Sequence, residues 1–320
     1  MRIGIDLGGS NLRAAVVGEG AALGVQHREP VGEPRDPDAI VERTARVCEE
    51  LADSAPEVTV GIGLAAMLRD RVGTVANSPH LRWRDVPFGA LLAARLGPRF
   101  RVGIYNDVNA IVYGEAVAGS ARDCKDVLGV YVGTGIGAGL IVNGQLVEGT
   151  SNCAGELGHT KVRWDDDAAP CACGSRGCIE AYIGGSYLQR RIALELGPGT
   201  IKTRALELAG GLHAIHPGHV DLAAAEGDDW ALGLWTELAP LLAVSLGNAV
   251  AILNPERLVL GGGVLARCPT LYQLVETTLM VAGNGPSLEA LTVVPAELGD
   301  DAGIVGSAHL AASGVSIIPA

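Results

Sequence analysis

The chain has 320 residues and a formal net charge of −12, which argues against a nucleic-acid footprint or an anionic membrane surface. Hydrophobic residues make up 48 % and aromatic ones only 4 %, so the core is built from Ala, Val, Leu and Ile, in a chain long enough for two domains. The 45 glycines, about twice the usual ~7 % share, cluster beside apolar runs, which points to backbone approaching ligand rather than to disorder.

Met1-Arg2-Ile3-Gly4-Ile5-Asp6 reads at once as a core strand, with no signal or transit segment ahead of it. Further along, strands are expected at residues 14–17, 58–64, 101–105, 128–132, 139–142, 257–260 and 291–295, the first spanning 2–7. Helical patterns fall at 37–54, 108–118, 185–196, 203–208, 221–226, 229–253 and 300–312. The last opens on acidic residues, as the helix dipole favours. Loops are expected at 26–36, 165–170 and 197–199. This alternation predicts an α/β protein. Residues 127–142 and 238–253 each run sixteen residues without charge, short of the ~20 that a spanning helix needs. Five glycines interrupt the first, and the second reads as a buried helix, so both are interior elements.

A quiet repeat links the two halves. Ile5-Asp6-Leu7-Gly8-Gly9-Ser10-Asn11-Leu12-Arg13-Ala14-Ala15-Val16-Val17-Gly18 aligns without gaps on Val130-Tyr131-Val132-Gly133-Thr134-Gly135-Ile136-Gly137-Ala138-Gly139-Leu140-Ile141-Val142-Asn143. Each copy predicts a strand, a turn of glycines with a hydroxyl, a second strand, and a third strand (21–25 and 145–147). A turn of that kind exposes backbone N–H groups in a nest suited to phosphate. Two of them facing across a cleft would grip opposite parts of a polyphosphate; two ligand-free hairpins are the plainer alternative. Neither copy is a Walker A loop or a dinucleotide fingerprint, because those place the turn between a strand and a helix.

Four residue groups carry chemistry. Cys171, Cys173 and Cys178 lie within eight residues, with His159 twelve residues ahead of Cys171. Cys₃His closes a tetrahedral zinc shell and leaves no position for activated water, so this zinc would hold a loop rather than react. The other four cysteines (48, 124, 153 and 268) are unpatterned and read as reduced thiols of a cytoplasm. Asn106-Asp107 follows a strand and opens a helix. An aspartate there is most often a cap, and the alternative is a carboxylate that takes a proton from a sugar hydroxyl while Asn106 orients it. Glu156 and Glu180 flank the zinc set, and rigidly held carboxylates accept from vicinal hydroxyls. His159 has a second nitrogen for the same purpose. Gly261-Gly262-Gly263 lets a flat ligand lie against backbone, although a tight turn looks the same.

Taken together, these residues resemble the ROK family of sugar kinases, within the actin-like ATPase group, from Met1 to the final helix. The most specific stretch is Gly155-Glu156-Leu157-Gly158-His159 with Cys171-x-Cys173-Gly174-x-x-Gly177-Cys178-x-Glu180, and Asp6 to Arg13, Asn106-Asp107 and Gly133 to Gly137 match in order and place. The resemblance implies two actin-like (ribonuclease H-like) α/β domains flanking a cleft, with a structural zinc loop. Their expected bounds are 1–117, completed by a C-terminal helix at 300–320, and 118–299, carrying the zinc motif 159–178. It also implies ATP- and Mg²⁺-dependent phosphoryl transfer to the 6-hydroxyl of a hexose. Asp107 would be the general base, and Asn106, Gly135, Glu156, His159 and Glu180 would bind the sugar. Asp6 would hold magnesium through water, Gly9, Ser10, Asn11 and Thr134 would touch phosphates, and Gly262 and Gly263 would border adenosine.

Three departures stand out. Ser10 replaces the commoner threonine, residues 63–67 lack a proline-glycine pairing, and His80 stands where asparagine often precedes leucine. The last two bear on sugar identity. A cytoplasmic hexokinase acting on glucose is the leading expectation, with an N-acetylmannosamine or fructose kinase next, and the resemblance implies a homodimer or higher homo-oligomer. A sugar-responsive repressor would need an N-terminal helix-turn-helix, and the first hairpin already begins at Ile3. A zinc-anchored sugar-binding protein without catalysis is disfavoured by Asp6, Asp107 and the paired hairpins.

Overall fold

The computed structural model describes residues 1–318. Thirteen strands and twelve α-helices follow in chain order among them: β1 (Arg2–Leu7), β2 (Asn11–Val17), β3 (Leu23–Pro30), α1 (Pro37–Ala52), β4 (Val58–Leu64), β5 (Met67–Leu68), β6 (Val75–Ser78), β7 (Trp83–Val86), α2 (Phe88–Leu96), β8 (Phe100–Asn106), α3 (Asp107–Ala118), β9 (Val127–Val132), β10 (Ile136–Val142) and β11 (Gln145–Leu146). Then come α4 (Glu180–Ile183), α5 (Gly185–Leu196), α6 (Arg204–Ala209), α7 (Pro217–Ala225), α8 (Asp229–Leu253), β12 (Arg257–Gly261), α9 (Gly263–Arg267), α10 (Pro269–Ala282), α11 (Gly285–Glu289), β13 (Thr292–Pro295) and α12 (Ala302–Ala312).

The two five-stranded sheets share one order, β3-β2-β1-β4-β8 and β11-β10-β9-β12-β13. Each begins with an antiparallel meander and continues into parallel strands, with β1 parallel to β4, β4 to β8, and β12 to β13. The sequence repeat is thus a repeat of topology.

Two compact units divide the chain. The first comprises Met1–Val127, Gly139–Gly155 and the described residues from Ala296 on. Its core packs β1, β4 and β8 against α1 and α2, with Ile3, Ile5, Leu7, Ile62, Leu64, Phe88 and Leu92 fully buried. On the other face α12 lies so close to the sheet that a Cβ at Gly61 would overlap the Ser307 carbonyl. A Cβ at Gly306 would likewise overlap the Ala110 carbonyl of α3. Helix and sheet meet there through backbone.

A small sheet, β5-β6-β7, also belongs to this unit; its strands are two to four residues long, too short for a sequence period to announce. The loop expected at 26–36 is in part strand, because β3 runs to Pro30. Its alternation was hidden because, as an edge strand, it is mostly solvent-exposed.

The second unit comprises Leu128–Ala138 and Glu156–Pro295. Its longest element, α8, is capped by the Asp228 carboxylate, which accepts from the Ala231 N–H at 2.9 Å. It ends at Asn254 in the left-handed region (φ 48°). This helix is long and apolar enough to cross a membrane by length and composition. One face is buried, with Leu234, Trp235, Leu238, Leu242, Leu246 and Val250, and Ile252 is exposed. The segment read as a buried helix is therefore buried on one side only.

Candidate active site

In the first unit the candidate residues gather at the carboxyl ends of parallel strands, the usual ligand edge of such sheets. Asp6 is the penultimate residue of β1, beside Gly63 of β4, and Asn106 ends β8 beside Leu64. Asn106, with extended backbone, is the cap of α3, and its Oδ1 accepts from the N–H groups of Val108 (3.0 Å) and Asn109 (3.1 Å). Its Nδ2 donates to the Ala66 carbonyl at 3.2 Å, which ties the cap to the loop after β4. Asp107 is therefore the first helical residue rather than the cap, although its Oδ1 also accepts from Val108 at 3.0 Å. A carboxylate at that place lies in the favourable field of the helix N-terminus.

Asp6 is nearly buried and faces Arg13, its cross-strand partner. The Arg13 Nε and Nη2 reach Asp6 Oδ2 at 3.1 and 2.5 Å, and Nη1 reaches Asp300 Oδ2 at 2.6 Å. Burial pushes the Asp6 carboxyl above its ordinary range, against the pull of Arg13. Magnesium prefers one or two carboxylates plus water and phosphate oxygens, so a single aspartate at a strand end suits it.

The adjoining turn is closed by the Gly8 N–H to the Asn11 carbonyl (3.1 Å) and held by the Val31 N–H to the Ser10 carbonyl (2.8 Å). Ser10 is exposed. His80 covers this turn, since a Cβ at Gly9 would sit 2.6 Å from the His80 Cβ. The sequence had marked His80 only as a departure; its place on the first turn had no signal in the chain.

In the second unit, His159 Nδ1 and the sulfurs of Cys171, Cys173 and Cys178 all lie within 4.8 Å of one another. Cys171 Sγ is 3.7 Å from His159 Nδ1, and Cys173 Sγ is 3.7 Å from Cys178 Sγ. Zn–S bonds of about 2.3 Å in a tetrahedron require sulfur separations of about 3.8 Å, so the four donors fit zinc. Lys161 Nζ lies 2.8 Å from Cys178 Sγ and 2.6 Å from Ser175 Oγ, a cation beside the cysteine sulfurs that sequence reasoning missed. With Nδ1 facing the sulfurs, His159 Nε2 faces Glu156 Oε2 at 3.7 Å. Burial raises the Glu156 carboxyl, His159 opposes that, and Glu180 adds to it. Glu180 Oε2 accepts the Ile136 N–H at 2.8 Å, next to Gly135. The structure thus brings Gly135, Glu156 and Glu180 together beside His159 and its cysteine cluster. Thr134 is exposed at the tip of the same turn. Gly262 (φ 89°) is the N-cap of α9 and lies against the Val132 backbone, immediately before that turn, so the triple glycine and the second turn adjoin.

Comparison with known proteins agrees on the family, whose matched members include glucokinases, N-acetyl-D-glucosamine kinases and xylose repressors. The sequence pattern of the ROK family matches residues 2–313. A glucokinase of Streptomyces coelicolor is 32 % identical over 317 residues, covering 97 % of each chain. A glucokinase of Thermotoga maritima is 31 % identical over 310 residues, 96 % of each. Among solved structures, a ROK family glucokinase from Streptomyces griseus in complex with glucose and AMPPNP superposes with a TM-score of 0.79 at 29 % identity, covering 98 % of this chain and 99 % of that one.

Proposed function

The chain belongs to the ROK family, and from that premise we propose that it is an ATP-dependent hexokinase that phosphorylates the 6-hydroxyl of glucose. The observation that carries this reading is the zinc-braced set of Glu156, His159 and Glu180, planar acceptors and a ring nitrogen of the kind that vicinal hydroxyls require. Asn106 and Gly135 complete the sugar ligands in this proposal. Asp107 accepts the proton of the 6-hydroxyl as its oxygen bonds to the γ-phosphorus, and ADP leaves with the former bridging oxygen. The two glycine turns hold phosphates through Gly9, Ser10, Asn11 and Thr134, and Gly262 and Gly263 border adenosine. Asp6 holds Mg²⁺, which neutralises developing phosphate charge when bound. Zinc serves the frame only. We place the enzyme in the cytoplasm as a homodimer.

The test is a coupled assay across glucose, mannose, fructose, N-acetylmannosamine and N-acetylglucosamine, with ATP and polyphosphate as donors. Glucose with ATP should give the highest kcat/KM. A higher value for an N-acetylated sugar would move the substrate, and no turnover on any hexose would remove the kinase reading.

A further inference from the structure

Glu180 has two demands on it. As a sugar ligand it must offer carboxylate oxygens to hydroxyls, yet Oε2 already accepts the Ile136 N–H at 2.8 Å. Ile136 is the first residue after the second glycine turn. The same helical segment grips the turn twice more, through Gly185 N–H to the Gly133 carbonyl (2.9 Å) and Ser186 N–H to the Thr134 carbonyl (3.0 Å). Gly135 lies so close that a Cβ there would overlap Glu180 Oε2. On its other side, the Ile136 carbonyl abuts Gly158, where again only a glycine fits. Gly158 precedes His159, and the two zinc-bearing stretches are joined by Ile179 N–H to the Thr160 carbonyl (3.0 Å) and Val162 N–H to the Gly177 carbonyl (2.9 Å). Ile136 is therefore held from both sides by the frame that carries the sugar acceptors.

We propose that Glu180 is a positioning residue for the second phosphate turn as well as a sugar ligand, so that sugar and nucleotide affinities are coupled through the Ile136 N–H. The ligand identities rest on the sugar-kinase reading above. A hydroxyl donating to the other carboxylate oxygen fixes the Glu180 side chain, and through it the turn whose N–H groups meet phosphate. The nucleotide then binds to a turn already ordered, and linkage makes the effect reciprocal.

The experiment is calorimetry on the zinc-loaded protein, titrated with a non-hydrolysable ATP analogue with and without glucose. In the unaltered protein glucose should tighten the analogue by about 5-fold or more. Glu180→Gln keeps a carbonyl acceptor for Ile136, so its sugar-free analogue affinity should stay within about 2-fold while glucose binding weakens. Glu180→Ala removes the acceptor and should weaken the analogue about 5-fold or more even without sugar.

An unchanged analogue affinity in Glu180→Ala overturns the turn-positioning role. Unchanged glucose affinity in both Glu180 variants overturns the sugar reading and the coupling with it. Should Glu180→Ala fail to fold, Gly135→Ala displaces the same carboxylate from the turn side and must weaken both ligands. Weakening of the analogue alone there overturns the coupling.

Discussion

The first and second glycine turns occupy equivalent places in their sheets but are supported by different chemistry. Both turns are closed by backbone, Gly8 N–H to the Asn11 carbonyl and Gly133 N–H to the Gly135 carbonyl (2.9 Å), but the first, Gly8 to Asn11, is held from outside by the Val31 N–H and lies beside a charged line of Asp6, Arg13 and Asp300. The second, Gly133 to Gly135, is gripped by Glu180, Gly185 and Ser186 from a neighbouring segment and has no ion pair at its base among the described residues. A turn beside a carboxylate and a guanidinium is equipped for a hydrated cation. A turn whose peptide groups are tethered to Glu180, the proposed sugar acceptor, would report that carboxylate's state. The same hairpin thus acquires different work from what packs on it.

The largest expected effect separates chemistry from grip. Asp107→Asn leaves both turns and the zinc frame intact, and kcat should fall roughly 10²- to 10⁴-fold with glucose and nucleotide binding preserved. Because Asn106 holds the cap, the thermal midpoint should barely move. Near-normal turnover in that variant would return Asp107 to a purely local role.

The cysteine and histidine cluster proposed to hold zinc belongs to the second turn's side of the comparison. Cys173→Ser should lose the metal, and kcat/KM should fall roughly 10- to 100-fold, with both glucose and the ATP analogue bound more weakly. Metal analysis beside calorimetry checks this. A zinc-free preparation with full activity would sever the frame from function.

The smallest effect concerns second-unit stability away from either turn. Burial opposes ionisation of Asp228, yet the N–H groups of Ala231 and Arg204 and the Thr203 hydroxyl outweigh it and hold its carboxyl below the ordinary range. Its contribution is therefore complete above the unfolded-state pKa of about 3.9 and is lost as pH falls through the lower folded value. Asp228→Ala should cost about 1–2 kcal/mol at neutral pH. Denaturant midpoints for the two proteins should converge on acidification below about pH 4; a gap that stays constant would mean the carboxylate's charge is irrelevant.

Much of this organisation was legible in the chain. The strands at residues 2–7 and 58–64 and the helices at 185–196 and 229–253 have the expected bounds, because apolar period and cap residues agree there. The zinc set was readable because four donors sit in two short stretches. Residues 88–96 and 269–282 drew no helix assignment, although Pro269 at the first turn and Gly283 at the C-cap of α10 are ordinary boundary signals. The Asn106 tie to the Ala66 carbonyl, His80 over Gly9, and Ile136 bound to Glu180 depend on neighbours 40, 71 and 44 residues away, and no local pattern records them.

The shared strand order has a consequence for how such a chain diversifies. In both sheets the link from the third to the fourth strand leaves the antiparallel meander and enters the parallel part. In the first sheet that link, residues 31–57, contains α1 alone, whereas in the second, residues 147–256, it contains the metal cluster, Glu156, Glu180 and α4–α8. Everything proposed to touch hexose from this half, Gly135 excepted, is thus carried by one contiguous connection between two strands. Changes confined to that connection would alter the proposed sugar contacts while leaving the strand order of both sheets, and the hairpins built on them, in place.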